Sequence, residues 1–392
     1  MALAFATGWT VAAVYFVQDV GMGPFELVLA GTALEIAYFV FEVPTAVVAD
    51  VYSRRLSVIV GQLIMGAGFV LTGAVAEVSV VLAAAALIGF GWTFRSGAED
   101  AWLADEVGPE RMARSYQHGA QVERAASLVG IGLAVALAVV DLRLPLLVAG
   151  AILLLLGLVL ALVMPETGFR PATREELGTV GRLTHTARDG GRLIRARPVL
   201  LLIVAITFFG GMWSEAVDRL WEAHFLLDVG LPGFAGLDPI VWFGVLAAGS
   251  LLLAFVVAQP LVPRFERAGR RGMARTLLVL DAILIVGTLA FAFAGSFAMA
   301  VAALWTIDVA RSLAYPVYDT WLNANIDDSR VRATVISITN LGDSAGQWGG
   351  GPVLGAIGSL VSIRAALAAG ALVLTPALAL YTRAIRSDRD DG

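Results

Sequence analysis

Apolar runs of membrane-crossing length recur along the whole chain, each closed by a short polar or glycine- and proline-bearing stretch. Stretches 144–164 and 199–213 are the plainest examples. About 20 apolar residues cross the hydrocarbon of a bilayer as a helix, and only a helix or a closed barrel satisfies its backbone there. Reading runs and breakers along the chain predicts twelve spans, at 3–20, 26–49, 57–75, 79–102, 116–140, 144–164, 199–222, 239–262, 273–294, 296–322, 334–358 and 362–383. Six precede the polar stretch 165–198 and six follow it. The expected fold is an all-α membrane protein of twelve transmembrane helices. Residues 1–164 form an N-terminal six-helix bundle, 165–198 a linker, and 199–392 a C-terminal six-helix bundle with a short tail. Within the linker, an amphipathic helix on the membrane surface is expected near 175–196. The first span starts at Met1 without a basic flank or a convincing cleavage site. It reads as a short first helix or as a start placed too late.

Arginine orients the spans. Alternate loops hold nearly all of it: Arg54 and Arg55, Arg111 and Arg114, seven arginines of the linker, Arg264 through Arg275, Arg330 and Arg332, and the tail. The other loops hold Arg143 and, at a helix edge, Arg364. Positive charge stays on the cytoplasmic side. Both termini and the linker are therefore expected in the cytoplasm, with the chain in the plasma (inner) membrane. Composition agrees, since charged residues are 15% of the chain against roughly 25% in soluble domains. The absence of cysteine excludes disulfides, thiolate metal sites and cysteine nucleophiles. The three histidines show no ligand spacing, and no Ser/His/Asp set appears at one depth, so an intramembrane enzyme is disfavoured.

The two halves carry copies of each other. Pro44, Asp50 and the pair Arg54-Arg55 recur 216 residues later as Pro260, Glu266 and Arg270-Arg271. Asp100, Trp102, Leu103 and Arg111 recur 219 residues later as Asp319, Trp321, Leu322 and Arg330. Two echoes in one order at nearly one offset mark a duplicated unit, and duplication in a membrane protein points to a transporter. The loop residues form a candidate gate on the cytoplasmic side: Asp50, Arg54, Arg55 and Asp100 in one half, Glu266, Arg270, Arg271 and Asp319 in the other. A carboxylate at a helix end can face the positive N-terminus of a neighbouring helix and be tied by guanidinium groups. The natural partners of Asp100 are Arg54 or Arg55, and those of Asp319 are Arg270 or Arg271.

Ionisable residues inside spans are costly and are functional candidates by default. Some should neutralise each other one helical turn apart: Arg95 with Glu99, Asp308 with Arg311, Glu215 with Arg219. With those pairs removed, Glu35, with Glu42 two turns on, and Asp343 lack an obvious partner on their own helix. A buried carboxylate favours its protonated form, which makes these two the candidate proton carriers. An interhelical bridge to Arg95 or Arg311 is the competing reading. Arg95, Asp308, Arg311, Asn340 and Gln347 are candidate polar groups of a cavity. Gly342, Gly346 and Gly350, four residues apart, read as a close helix contact. Trp92, Trp213, Trp221 and Trp242 read as cavity or interfacial aromatics; most tryptophans of this kind anchor at the headgroup level, and none is taken as a ligand.

The stretch Pro44–Arg55, with its copy at Pro260–Arg271, resembles the loop signature of the major facilitator superfamily. Tyr52 departs from it, at a place where the family usually has a small residue. The resemblance covers essentially the whole chain in layout and implies the major facilitator fold of two pseudo-symmetric six-helix bundles that open alternately to each side. Phe41-Glu42-Val43-Pro44-Thr45 and Arg95-Ser96-Gly97 are similar to the drug/proton antiporter branch. The glycine-proline motif of that branch is in the wrong half here, at Gly350-Gly351-Pro352. The resemblance implies a secondary transporter, with no cofactor and no enzymatic activity. No phosphate-binding Gly-x-x-x-x-Gly-Lys loop is possible in a chain without lysine. Two readings stand: proton-coupled export of amphipathic compounds through a roomy apolar cavity, or proton-coupled uptake of a polar solute such as a sugar or carboxylate. The second requires charged and amide side chains clustered at mid-membrane. Expected partners are a small-molecule substrate, protons and the lipid bilayer, with no nucleic acid and a monomeric state.

Overall fold

The computed structural model describes residues 1–169, 198–233, 238–326 and 332–390. The predicted amphipathic helix near 175–196 lies outside them. Every regular element among the described residues is helical. In chain order these are α1 (Ala2–Trp9), α2 (Ala12–Gln18), α3 (Pro24–Val51), α4 (Arg54–Ala74), α5 (Val78–Arg95), α6 (Ala98–Val107), α7 (Pro109–Ala138) and α8 (Leu144–Val163). Then come α9 (Pro198–His224) with a π-helical turn at Phe225–Val229, α10 (Val241–Glu266), α11 (Gly269–Ala292), α12 (Phe297–Ala324), α13 (Arg332–Leu360), α14 (Ile363–Val373) and α15 (Thr375–Asp390).

Each of the twelve predicted spans falls on a helix or on a helix pair with a break. Ten are long and apolar enough to cross a membrane by length and composition. The first, Ala2–Gln18, is shorter. The other, α13, has ample length at 29 residues but carries Asn340, Asp343 and Gln347.

Three spans are broken where a continuous helix was expected, and local chemistry explains two of the breaks. Ser96 leaves the helical region and Gly97 takes φ +62, a left-handed conformation that glycine adopts without Cβ strain. That separates α5 from α6. Between α14 and α15, Pro376 has no N–H for the carbonyl of Leu372. The hydroxyl of Thr375 donates to that carbonyl instead, at 2.7 Å. The remaining break, at Thr10 and Val11 between α1 and α2, carries a hydrogen bond from the Thr10 hydroxyl to the Ala6 carbonyl at 2.6 Å.

The chain divides into two compact units. The first comprises Met1–Leu177 with Gly233–Ala247. Within it α4 packs on α5 and α8, α3 on α5, and α1 on α7 and α8. The second comprises Gly178–Pro232 with Ala248–Gly392. Within it α9 packs on α13 and α14, and α11 packs on α12, α14 and α15.

Apolar burial drives little helix association in lipid, so close backbone approach and side-chain hydrogen bonds carry more of it. In the first unit, Thr45 of α3 donates to the carbonyl of Thr93 on α5 at 3.0 Å. Ser57 of α4 donates to the carbonyl of Phe94 at 2.7 Å. In the second unit, the crossing of α9 and α13 rests on glycine. A Cβ on Gly346 would collide with the carbonyl of Phe208, and one on Gly211 with the carbonyl of Asp343. Gly342 and Gly350 face Thr207 and Met212 of the same helix. The packing reading of that glycine row therefore holds, and the crossing sets Asp343 directly against α9.

Candidate functional site

The second unit gathers charge at mid-depth. At 1.5 Å of rise per residue, Asp308 and Arg311 lie roughly 16 and 21 Å along α12 from Phe297. Arg311 makes a two-pronged ion pair with Asp218 of α9, Nη1 to Oδ1 at 2.5 Å and Nη2 to Oδ2 at 2.9 Å. This parallel geometry is the strong form of a guanidinium–carboxylate contact. The guanidinium also lies over the ring of Trp213, 5.3 Å from its centroid. Trp213 is itself buried, and its Nε1 donates to Thr288 at 2.9 Å. Asp308 accepts a tight hydrogen bond from Ser250 of α10. Asp343 accepts from Gln347 one turn on, at 2.8 Å. The charges of Asp308 and Asp343 both act on Arg311 in addition to that of Asp218. Asn340 is exposed on the same helix as Asp343.

One expectation is corrected here. Arg311 does not pair with Asp308 one turn away; it reaches across to Asp218, and Asp308 takes the Ser250 hydroxyl. A bidentate contact needs the carboxylate square to the guanidinium plane, and the facing helix provides that. Of the cavity and interfacial readings of Trp213, its burial beneath the guanidinium fits a place inside the unit. The pair is also partly open, with side chains 35% and 40% exposed for Arg311 and Asp218. Charges at that depth face a water-filled cavity or the bundle interior rather than hydrocarbon.

The first unit keeps its polar groups for bracing. Arg95 pairs with Glu99 at 2.5 Å, as one-turn spacing predicts, and lies over Trp92. In the second unit Glu215 and Arg219 likewise meet at 3.5 Å. Glu42 accepts the Ser96 hydroxyl on both oxygens, at 2.9 and 2.8 Å, and its charge acts on Tyr38 one turn before it. Glu42 thereby pins α3 to the break between α5 and α6. Glu35 is half-buried two turns away on α3.

At the arginine-bearing end of the first unit the partners differ from those expected. Asp100 accepts from Tyr116 at 2.9 Å and binds neither arginine. Arg54 donates to the carbonyl of Ala101 at 3.0 Å and makes a tight pair with Asp105. Ala101 and Asp105 share one face of α6, and Asp100, about 100° round the helix from Ala101, points elsewhere. Asp50 is 59% exposed and meets Arg54 only at 3.5 Å. The carboxylate at the N-terminus of α4 is Glu166. It accepts from the Ser53 hydroxyl at 2.7 Å and from the backbone N–H of Arg55 at 2.9 Å. Arg55 in turn donates to the carbonyl of Ala161. An anion at a helix start is favoured by the helix dipole, and Glu166 supplies it from a residue more than 110 positions away in sequence. In the second unit, Glu266 accepts from Thr320 at 3.3 Å. Asp319 and Arg270 are exposed, and Arg271 is half-buried.

The family model of the Major Facilitator Superfamily matches residues 1–307. The chain belongs to the major facilitator superfamily. This superfamily member is 23% identical over 359 residues to the uncharacterized MFS-type transporter YxaM of Bacillus subtilis (strain 168), covering 91% of this chain and 86% of that protein. Among solved structures it is similar to a mutant of the nucleoside transporter NupG, with a TM-score of 0.80 at 12% identity over 97% of this chain and 96% of the other. A bacterial homologue of the human lysosomal transporter Spinster, inward-facing and unoccupied, gives 0.73 at 18% identity over 100% and 95%. At such identities these likenesses show the fold alone. The superfamily member is thus a multi-pass membrane transporter and not an enzyme, with the all-helical major facilitator fold.

Proposed function

We propose that this transporter moves a small organic solute by alternating access, coupled to protons, and that the Asp218–Arg311 pair meets a charged or strongly hydrogen-bonding group of that solute. The observation that carries the reading is the cluster itself: Arg311, Asp218, Asp308 and Ser250 come from three helices and meet at mid-depth, with the ion pair partly open. Maintaining charge there is costly unless it serves a solute or an ion. Clustered charge at mid-membrane is what uptake of a polar solute requires. Export of amphipathic compounds has its own support in the aromatic groups of the first unit. Phe5 packs on Phe69 and on Trp92, and Phe41, Phe90 and Phe94 form a chain of edge contacts. The arginine distribution supports a plasma (inner) membrane setting with both termini in the cytoplasm.

Glu35 and Asp343 are the proposed proton carriers. The test is flux in proteoliposomes, with a solute first identified by thermal-shift screening of the purified chain. Glu35→Gln or Asp343→Asn is expected to abolish flux driven by a pH gradient while solute exchange continues. Gradient-driven flux at the wild-type rate in both variants would remove both acids from the coupling step.

A further inference from the structure

Asp281 has no place in the cluster described above. It lies on α11 twelve residues from Gly269 and eleven from Ala292. That is roughly 18 and 17 Å from the two ends of the helix, close to the middle of a bilayer core about 30 Å thick. It belongs to the buried stripe of α11, with Leu277, Leu284, Ile285 and Thr288, and is only 7% exposed. Among the described residues its carboxylate has no hydrogen-bond or ion-pair partner. No charged side chain of the packed helices α12, α14 or α15 acts on it; burial is the one influence on its charge. The ionisable groups near it are tyrosines. Its charge acts on Tyr381 of α15, which is 2% exposed and packs tilted against Trp321 of α12, ring centroids 5.6 Å apart. Tyr318, one turn before Trp321, has a buried hydroxyl and acts on the same Tyr381.

A carboxylate buried at mid-membrane with no cation beside it is among the most expensive groups a fold can carry. The neutral acid removes that cost and gives the group a proton to donate. We propose that Asp281 is a proton-binding site, held as the carboxylic acid inside the second unit and separate from the Asp218–Arg311 cluster. Binding adds one proton to the carboxylate, and no other bond changes. Loss of that proton puts a bare charge on the seam of α11 and α15, where Ala377, Tyr381 and Ala384 are packed, so the proton ties those two helices together. A divalent cation in its place would need about six oxygen ligands, and one carboxylate with two phenol hydroxyls falls short of that. The proposal is independent of the solute reading: its test needs no solute and no flux.

The full chain, purified into lipid, is compared with Asp281→Asn by infrared difference spectroscopy at neutral pH. The wild type should show a protonated-carboxyl carbonyl band that shifts in deuterium oxide and is lost in the variant. Identical carboxyl spectra would overturn the proposal. If the variant does not fold, the wild type alone decides. Dicyclohexylcarbodiimide adds to protonated carboxyls in apolar surroundings, and tandem mass spectrometry should locate its adduct on Asp281. A chain unlabelled at that residue would overturn the proposal equally. Sodium or magnesium chloride should leave the band and the labelling unchanged; suppression of either by salt would make this a cation site instead.

Discussion

Arg311→Gln is expected to weaken solute binding by roughly tenfold or more and to bring flux to background. Losing the charge-assisted hydrogen bonds of a partly open pair costs about 1.5–3 kcal/mol, and every 1.4 kcal/mol is about tenfold in affinity. Arg311 is the sensitive member because three carboxylates act on it, those of Asp218, Asp308 and Asp343. Glutamine there leaves those three acids without their shared cation and uncovers the face of Trp213. Asp218→Asn should be milder, since Asp308 and Asp343 still balance the guanidinium. Arg311→Lys should be intermediate, because an ammonium keeps the charge but cannot make the two-pronged contact. Isothermal titration with a solute found by screening reads the affinity, and proteoliposome flux reads the rate. Wild-type affinity in Arg311→Gln would place the solute elsewhere.

Gly346→Val is expected to destabilise the second unit strongly and lower its unfolding temperature. A Cβ at this position meets the Phe208 carbonyl and the Met212 backbone nitrogen, not a flexible side-chain tip. Backbone cannot step aside without separating α9 from α13. The loss should therefore sit at the top of the roughly 1–3 kcal/mol typical of overpacking, or beyond it. Gly349 is the control, since nothing lies within 4 Å of a Cβ built there. Gly349→Ala should be neutral or stabilise by about 0.4–1 kcal/mol through the unfolded chain. Size-exclusion profiles and thermal unfolding of the two variants check this. A folded Gly346→Val with a wild-type unfolding temperature would mean that the α9–α13 crossing is not built as described.

Spans and local pairs were the legible part of this chain. Length and apolarity alone place the helices, because lipid leaves the backbone few alternatives. The pairs Arg95–Glu99 and Glu215–Arg219 followed from one-turn spacing, which is a property of a single helix. Partners chosen across helices were not legible. Arg311 could be placed in its span, but Asp218 is 93 residues away and is found only once α9 and α12 are set face to face. Glu166 is hidden for the same reason, and the local pattern offers the nearby Asp50 as the acid at the start of α4 instead. Asp281 is inconspicuous in the sequence because it interrupts an apolar run without a neighbouring charge, the pattern of an ordinary span. Its one signal in the sequence was its phase, on the same face as Leu277, Leu284 and Thr288. The breaks at Gly97 and Leu374 have visible causes in glycine and proline, yet the unbroken apolar run around each one masks them.

The most direct test of proton-coupled transport at the Asp218–Arg311 cluster is solute flux into wild-type proteoliposomes with a pH gradient imposed and then collapsed by a protonophore. Concentrative movement that stops when the gradient is collapsed is the predicted result. Flux that runs at the same rate with and without the gradient would contradict it.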